Sequence, residues 1–306
     1  MRASVIIPTR NRSDLLQQTV ARLARQTVPN DEYEILIVDD ASDEPCTVTL
    51  RAAADPARGP RMQLIQRARR GWSATARNDA IAQAQGDILV FLDDDAFVGP
   101  QFLERHLVVH GKHPAAVVAG PIVQVRAIPE AIDESSRLTG YHRHPLPGGN
   151  GSVPAWAVRR VGGYDAEFRA YGWQDQELAE RLLALGLRRR FAWGAPIYHY
   201  KPASYDTDLR AQIARERERG RMGARFYHKH RSWTIGVTTK VAPTVRRAVN
   251  TLARLTRTPD LCDQLESGER DGATVPTWRA ALLRAWVESN AGGAELARIS
   301  ASAGEG

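Results

Sequence analysis

Asp87-Ile88-Leu89-Val90-Phe91-Leu92-Asp93-Asp94-Asp95 decides the fold reading. Five apolar residues in a row suffice for one buried strand and are too few for an ordinary helix, and three aspartates end the run abruptly. On either side the pattern repeats. Ser4 to Pro8, Glu34 to Val38 and Met62 to Ile65 read as strands before it, and Val117-Val118 and Ala195 to Tyr200 as strands after it. Amphipathic stretches lie between them. Leu15, Leu16, Val20 and Leu23 recur at helical spacing behind a capping Ser13, and Ser73 is placed to cap a helix through Gln85. Gln174 to Leu185 is helical and closed by Gly186. Strands alternating with covering helices predict an α/β domain with a mostly parallel sheet. Ala127 to Asn150, rich in Pro, Gly and His, has no period and reads as loop beside a site.

Beyond Pro202 the composition changes. Leu209 to His230 and Val241 to Leu255 read as helices; Val241, Val245, Ala248, Leu252 and Leu255 form one stripe of the second, with Arg246, Arg247 and Arg254 mostly off it. The expected division is a catalytic domain over 1–202, in donor (about 1–98) and acceptor (about 99–202) halves, a basic helical extension over 203–299 and a disordered tail over 300–306.

The chain has 306 residues, 43% of them hydrophobic, enough for a real core. Its net charge is +7, and 13 Lys/Arg against two Glu between Arg210 and Arg257 put +11 in the extension, so the remainder sums to −4. Such a segment suits an anionic membrane surface or a phosphorylated acceptor, or is a solvated helix face; packing of its stripe on the catalytic domain or a homodimer partner is the other expectation. No stretch reaches the roughly 20 apolar residues of a membrane-spanning helix. Met1-Arg2 leads straight into a strand without an apolar leader, so the chain reads as soluble and cytoplasmic. Cys46 and Cys262, far apart, suggest neither a disulfide framework nor a zinc site.

Strand one is followed by Pro8-Thr9-Arg10-Asn11-Arg12, without the G-x-G-x-x-G turn of a dinucleotide site, and no G-x-x-x-x-G-K-[ST] loop occurs. A nucleotide must then lie at the carboxyl ends of the strands, which carry Thr9, Asn11, Arg12, Asp39-Asp40 and Asp93-Asp94-Asp95. Five carboxylates at one sheet edge repel one another unless a cation sits among them, and hard oxygen ligands suit Mg²⁺ or Mn²⁺. A metal-bound diphosphate is the expected occupant.

Four segments in order, Ser4 to Arg12, Val38 to Asp43, Ala76-Arg77-Asn78-Asp79-Ala80-Ile81 and Phe91 to Asp95, resemble the family 2 glycosyltransferases of GT-A fold, a Rossmann-like, mostly parallel mixed sheet flanked by helices. The resemblance runs from about Ala3 to about Lys201. It extends to Gly148-Gly149-Asn150-Gly151-Ser152-Val153, Val161-Gly162-Gly163-Tyr164-Asp165 and Gly172-Trp173-Gln174-Asp175-Gln176-Glu177-Leu178. It implies an inverting, metal-dependent enzyme acting on a nucleotide sugar, UDP-linked, with Mn²⁺ or Mg²⁺ as cofactor. Asp40 would meet the nucleotide base, and Pro8, Thr9, Arg12, Arg77, Asp93 and Asp94 would line the donor. Asp95, with His199, would hold the metal. Asp175 would be the base, and Asn150, Trp173 and Gln174 would face a glycan, lipid-linked or small acceptor.

Relatives carry Glu where this chain has Gln174, so the base role rests on Asp175, with Glu177 second; glutamine still offers hydrogen bonds to an acceptor hydroxyl. Trp173 reads two ways, as a platform for a sugar face or as core packing. His142, Arg143 and His144 read as a phosphate contact or a solvated loop. No nucleic-acid partner is expected. A sugar-phosphate nucleotidyltransferase would need the absent glycine-rich loop, and a non-catalytic nucleotide-sugar-binding module would need no base beside a metal.

Overall fold

A computed structural model of the chain describes residues 1–44, 46, 59–134, 140–203, 205 and 208–304. The chain divides into two compact units, one of residues 1–169 and 174–202, the other of 170–173 and 203–306.

The first unit opens β1 (Ala3–Thr9), α1 (Ser13–Leu23), β2 (Tyr33–Asp39), β3 (Arg61–Gln66), α2 (Trp72–Gln83) and β4 (Ile88–Leu92). It continues β5 (Ala96–Val98), α3 (Phe102–Lys112), β6 (Ala116–Ala119), β7 (Ile122–Val125), β8 (Asn150–Pro154), α4 (Ala155–Arg160), α5 (Gln174–Ala184), β9 (Arg188–Phe191) and β10 (Ile197–Tyr200). Seven strands form one sheet in the order β3-β2-β1-β4-β8-β6-β9, and β5-β10-β7 form a second. β1 runs parallel to both β2 and β4, whereas β8 is antiparallel to β4 and β6.

Side chains alternate across a strand, so an all-apolar strand feeds two cores at once. Val5, Ile7, Ile35, Ile37, Val90 and Leu92 pack with Leu16 and Val20 of α1 and Phe102 of α3. Ile6, Leu36, Val38, Leu89 and Phe91 pack on the other face with Ala76 and Ala80 of α2 and Leu178 and Leu182 of α5. Gly186 takes a left-handed φ of 101°, and Leu187 N–H returns to Leu182 O at 3.2 Å, which closes α5 as the glycine suggests.

Two helix starts differ from expectation. Ser13 is the first residue of α1 and caps nothing; its Oγ lies 3.4 Å from Cys46 Sγ. α2 begins at Trp72 rather than behind Ser73, and the backbone N–H groups of Gly71 and Trp72 are bound by the Asp40 carboxylate at 2.7 and 2.8 Å. The cap comes from 31 residues upstream, where no local pattern reveals it.

The second unit holds α6 (Leu209–His230), α7 (Trp233–Thr238), α8 (Pro243–Leu255), α9 (Thr258–Ser267) and α10 (Thr277–Gly304). Asp208 caps α6 by accepting from Ala211 N–H at 2.9 Å. α6 and α10 cross backbone to backbone: a Cβ on Gly220 would fall 2.2 Å from Glu288 O, and one on Gly292 would fall 2.9 Å from Gly220 O. Leu209, Ile213, Leu261, Leu265, Leu283 and Val287 form the core. Much of the basic charge is spent internally, as Arg217 pairs with Glu266, Arg219 with Glu288 at 3.3 Å and Arg225 with Glu295 at 2.9 Å. The stripe is not packed as a whole: Val241 is buried and Val245 half-buried, but Ala248, Leu252 and Leu255 are exposed, and the buried residue of α8 itself, Ala253, lies off the stripe. Helix continues through Gly304, where a disordered tail is expected from sequence; 305 and 306 lie outside the described residues. Among the described residues no helix is long and apolar enough to cross a membrane.

Candidate active site

Parallel register sets Thr9 beside Asp39, and the turn after β4 delivers Asp93, Asp94 and Asp95 to the same edge. Asp94 is a strut: it accepts from Thr9 Oγ1 at 2.8 Å and Arg12 Nη1 at 3.2 Å, while its carbonyl takes Thr19 Oγ1 at 2.9 Å. Burial pushes its carboxyl up to about 6 despite Arg12. Asp95 goes the other way. Burial would raise it, but the His199 hydrogen bond and the charges of His199, Lys201 and Arg12 outweigh that and hold it at about 2. Arg12 Nη1 lies 2.9 Å and Lys201 Nζ 3.3 Å from Asp95 Oδ2.

β10 pairs antiparallel with β5 so that His199 stands opposite Ala96, and Tyr200 N–H bonds Asp95 O at 2.9 Å. This register carries His199 Nε2 to 2.7 Å from Asp95 Oδ1 and 3.9 Å from Asp93 Oδ2. One ligand atom from each of Asp93, Asp95 and His199 falls within 4.8 Å of the others. His199 Nε2 is buried and faces the Asp95 and Asp93 carboxylates. Two carboxylates and an imidazole nitrogen turned toward one another fit a divalent ion of the Mn²⁺ or Mg²⁺ kind.

Arg77 joins this group to Asp175. Its buried guanidinium donates to Asp93 Oδ1 at 3.1 Å, Asp175 Oδ1 at 3.2 Å and Gly148 O at 3.1 Å. Burial would lower its pKa, but Asp175, Tyr164 and Asp93 raise it. Tyr164 OH donates to the same Asp175 oxygen at 3.0 Å. The Asp175 carboxyl is shifted upward by burial, against Arg77 and with Asp93. Gly148 and Gly149 make room for this: a Cβ on Gly148 would lie 2.5 Å from Arg77 Nη2, and one on Gly149 would lie 2.6 Å from Asp93 Oδ2. Tyr164, Lys201 and these two glycines belong to the site and are not singled out by sequence reasoning. The G-G-Y-D segment is the signal that points to Tyr164.

The remaining candidates separate. Asp40 holds Gly71, Trp72 and the Arg67 side chain at 3.0 Å. Pro8 pairs with Val38 in the β1–β2 register, half-buried. Gln174 donates to Ser73 Oγ at 3.3 Å, leaving its buried Oε1 without a partner. Asn150 is not open to an acceptor. It is fully buried, donates to Pro121 O and Ala195 O at 2.8 and 2.9 Å, and meets His106 Nε2 at 3.0 Å. Trp173 is 4% exposed within the second unit, where its N–H donates to Arg219 O at 3.0 Å and its ring stacks on Phe226, so packing is the reading its surroundings match. Glu177 is taken by Arg181 at 2.6 Å. His142 meets Gly120 O at 2.9 Å and His144 meets Gln176 at 2.9 Å. Asn11, Ala41 and Trp72, at the strand ends and the α2 start, all take positive φ of 54°, 59° and 66°. Backbone strain of this kind gathers at functional sites.

Ser152 Oγ meets His106 Nδ1 at 2.8 Å and His110 Nε2 at 2.9 Å, beneath β8. Burial drives these histidines down to about 4 and about 3. The unfolded chain, with histidines near 6.5, binds protons first on acidification, so this stability is full above about pH 6.5 and is lost toward pH 4. At pH 5 the loss is about 2 kcal/mol per histidine. Thermal melts at pH 7 and 5 check it: a His106→Gln/His110→Gln variant should show a smaller drop than the parent, and equal drops would reject the assignment.

Residues 4–154 match the family model described as Glycosyl transferase family 2. Validoxylamine A glucosyltransferase of Streptomyces hygroscopicus subsp. jinggangensis is 30% identical over 236 residues, covering 64% of this chain and 55% of that protein. The chain spans about half the length of the curated relatives it matches. Mannosyltransferase PcManGT from Pyrobaculum calidifontis, solved with GDP-Man and Mn²⁺, aligns with a TM-score of 0.64 at 18% identity, over 97% of this chain and 87% of its own. S. aureus TarS 1–349 in complex with UDP-GlcNAc aligns at 0.55 and 17% identity, over 99% and 92%. At such identities the likeness shows the fold. The four segments, the strand-end carboxylates and these matches converge: residues 4–154 are a glycosyl transferase family 2 domain, and the chain has a GT-A fold.

Proposed function

We propose that the chain transfers a sugar from a nucleoside-diphosphate donor, UDP-linked, to a hydroxyl of a glycan, lipid-linked or small-molecule acceptor, with inversion at the anomeric carbon. One arrangement carries this reading: buried Arg77 ties Asp175 to Asp93, a member of the Asp93, Asp95 and His199 group. Those three residues would hold the divalent cation, Mn²⁺ or Mg²⁺, which supplies charge neutralisation to a departing diphosphate. Arg12 and Lys201 add fixed positive charge beside the same carboxylates. Asp175 takes the acceptor proton as the hydroxyl oxygen bonds to the anomeric carbon and the bond from that carbon to the diphosphate oxygen breaks. Its upward-shifted carboxyl is a stronger base than an ordinary aspartate once ionised. The buried Oε1 of Gln174 is an acceptor able to orient a hydroxyl.

A panel of nucleotide sugars assayed for Mn²⁺-dependent release of nucleoside diphosphate tests the reading. Release of pyrophosphate from a nucleoside triphosphate and a sugar phosphate would replace it with nucleotidyl transfer. His199→Ala is expected to weaken Mn²⁺-dependent UDP binding at least about 10-fold. Unchanged calorimetric binding removes His199 from the ligand set.

A further inference from the structure

α8 carries a face with an unusual make-up. Between Pro243 and Arg257 there are four arginines and no carboxylate. The helix rests on Ala253, which is buried, and on half-buried Arg246, Val249 and Asn250. Asn250 Oδ1 accepts from Asn290 Nδ2 of α10 at 3.0 Å, and Arg246 lies over Gly293. That contact fixes which side is left outside. At about 100° per residue, Ala248, Leu252 and Leu255 fall within about 60° of one another on the outer side, and Arg247 and Arg254 occupy the adjoining arc. Leu252 is 51% and Leu255 78% exposed, and Arg247, Arg254 and Arg257 are exposed beside them. Among the described residues the Arg247 and Arg254 side chains make no ion pair or hydrogen bond. At the same end of the helix pair Arg279 donates to Thr256 O at 3.0 Å, which brings the C-terminal end of α8 to the start of α10, where Trp278 is 59% exposed.

We infer that this face of α8 lies on an anionic lipid surface, with Leu252 and Leu255 entering the headgroup region and Arg247, Arg254 and Arg257 meeting lipid phosphates. Leucines flanked by unpaired arginines are what a bilayer interface selects, since apolar burial and charge attraction act together. A second copy of the chain fits poorly: a two-fold contact through this face would set its arginines against their own copies, with no carboxylate on the helix to pair them. Among the described residues no helix is long and apolar enough to cross a membrane, and the contact inferred for α8 is one on the surface. The inference is independent of the transfer chemistry proposed above and carries the reaction to a surface where a lipid-linked acceptor would be found.

Co-sedimentation of the full chain with vesicles tests it. Vesicles of three parts phosphatidylcholine to one part phosphatidylglycerol should capture the protein at low salt and release it at 0.5 M NaCl, while phosphatidylcholine alone should not capture it. Each surface arginine contributes about fivefold in partitioning, so Arg247→Gln/Arg254→Gln should weaken binding about 25-fold. Leu252→Ser/Leu255→Ser should weaken it at least about 10-fold. Both variants change exposed side chains, and unaltered Mn²⁺-dependent UDP binding certifies their fold; loss of UDP binding in the parent would count against the active-site reading and leave this one standing. Three results would overturn the inference: a parent protein that stays in solution with anionic vesicles, leucine variants that bind as well as the parent, or a parent dimer that Leu252→Ser/Leu255→Ser converts to monomer.

Discussion

Asp175→Asn is expected to lower turnover by about 10²–10⁴-fold, the contribution of a positioned general base, while leaving nucleotide binding intact. The substitution is isosteric, and the asparagine carbonyl oxygen can still accept from Arg77 and Tyr164, the two donors that now meet Asp175 Oδ1 at 3.2 and 3.0 Å. What disappears is the capacity to take a proton. The rate should rise with pH through the Asp175 pKa, and burial moves that limb above the usual aspartate range. Steady-state turnover with calorimetric UDP binding checks both halves. Wild-type turnover in the variant would transfer the base role elsewhere.

Arg77→Ala should destabilise the first unit by about 3 kcal/mol, the lower end of the range for breaking a buried pair. The Arg77 side chain is 3% exposed and its loss leaves Asp175, 17% exposed, without its cation, whereas Asp93, at 33%, recovers part of its solvation. Gly148 O loses its donor as well. For a unit of this size the melting temperature should fall by about 6–12 °C, and turnover should fall with it because Asp93 and Asp175 lose their common tether. Arg77→Lys should not restore the parent, since one ammonium cannot reproduce a planar fork reaching two carboxylates and a carbonyl. A melting temperature within a degree of the parent would show that Arg77 is not the keystone its contacts suggest.

Elements whose apolar residues serve both faces were legible in sequence, and so was α6, read as Leu209 to His230 and found there. Strand ends were legible for the same reason: an apolar run stops where the chain leaves the core, so Asp93 to Asp95 announces a rim. Partnerships across the chain were not. Asp40 serves the start of α2, Asn150 is locked by carbonyls from two other segments and by His106, and Tyr164 reaches Asp175 from a turn. Each depends on topology that periodicity does not carry. The stripe on α8 was visible as a stripe, but which arc of the helix is covered depends on Gly293 admitting Arg246, a fact of packing between helices. Trp173 shows the opposite limit: two residues before the base in sequence, it belongs to the second unit and stacks on Phe226 there.

β8 enters the large sheet against the direction of its neighbours and sits between β4 and β6. The strand that begins with Asn150 therefore joins β4 to β6, and the two halves of the domain share one hydrogen-bonded sheet. Cutting after Val98 would leave Leu89 to Leu92 as a bare, apolar seam that invites other chains to add themselves. Exchange of acceptor preference between homologues is thus better attempted by swapping surface segments that hang between strands than by splicing halves at the midpoint.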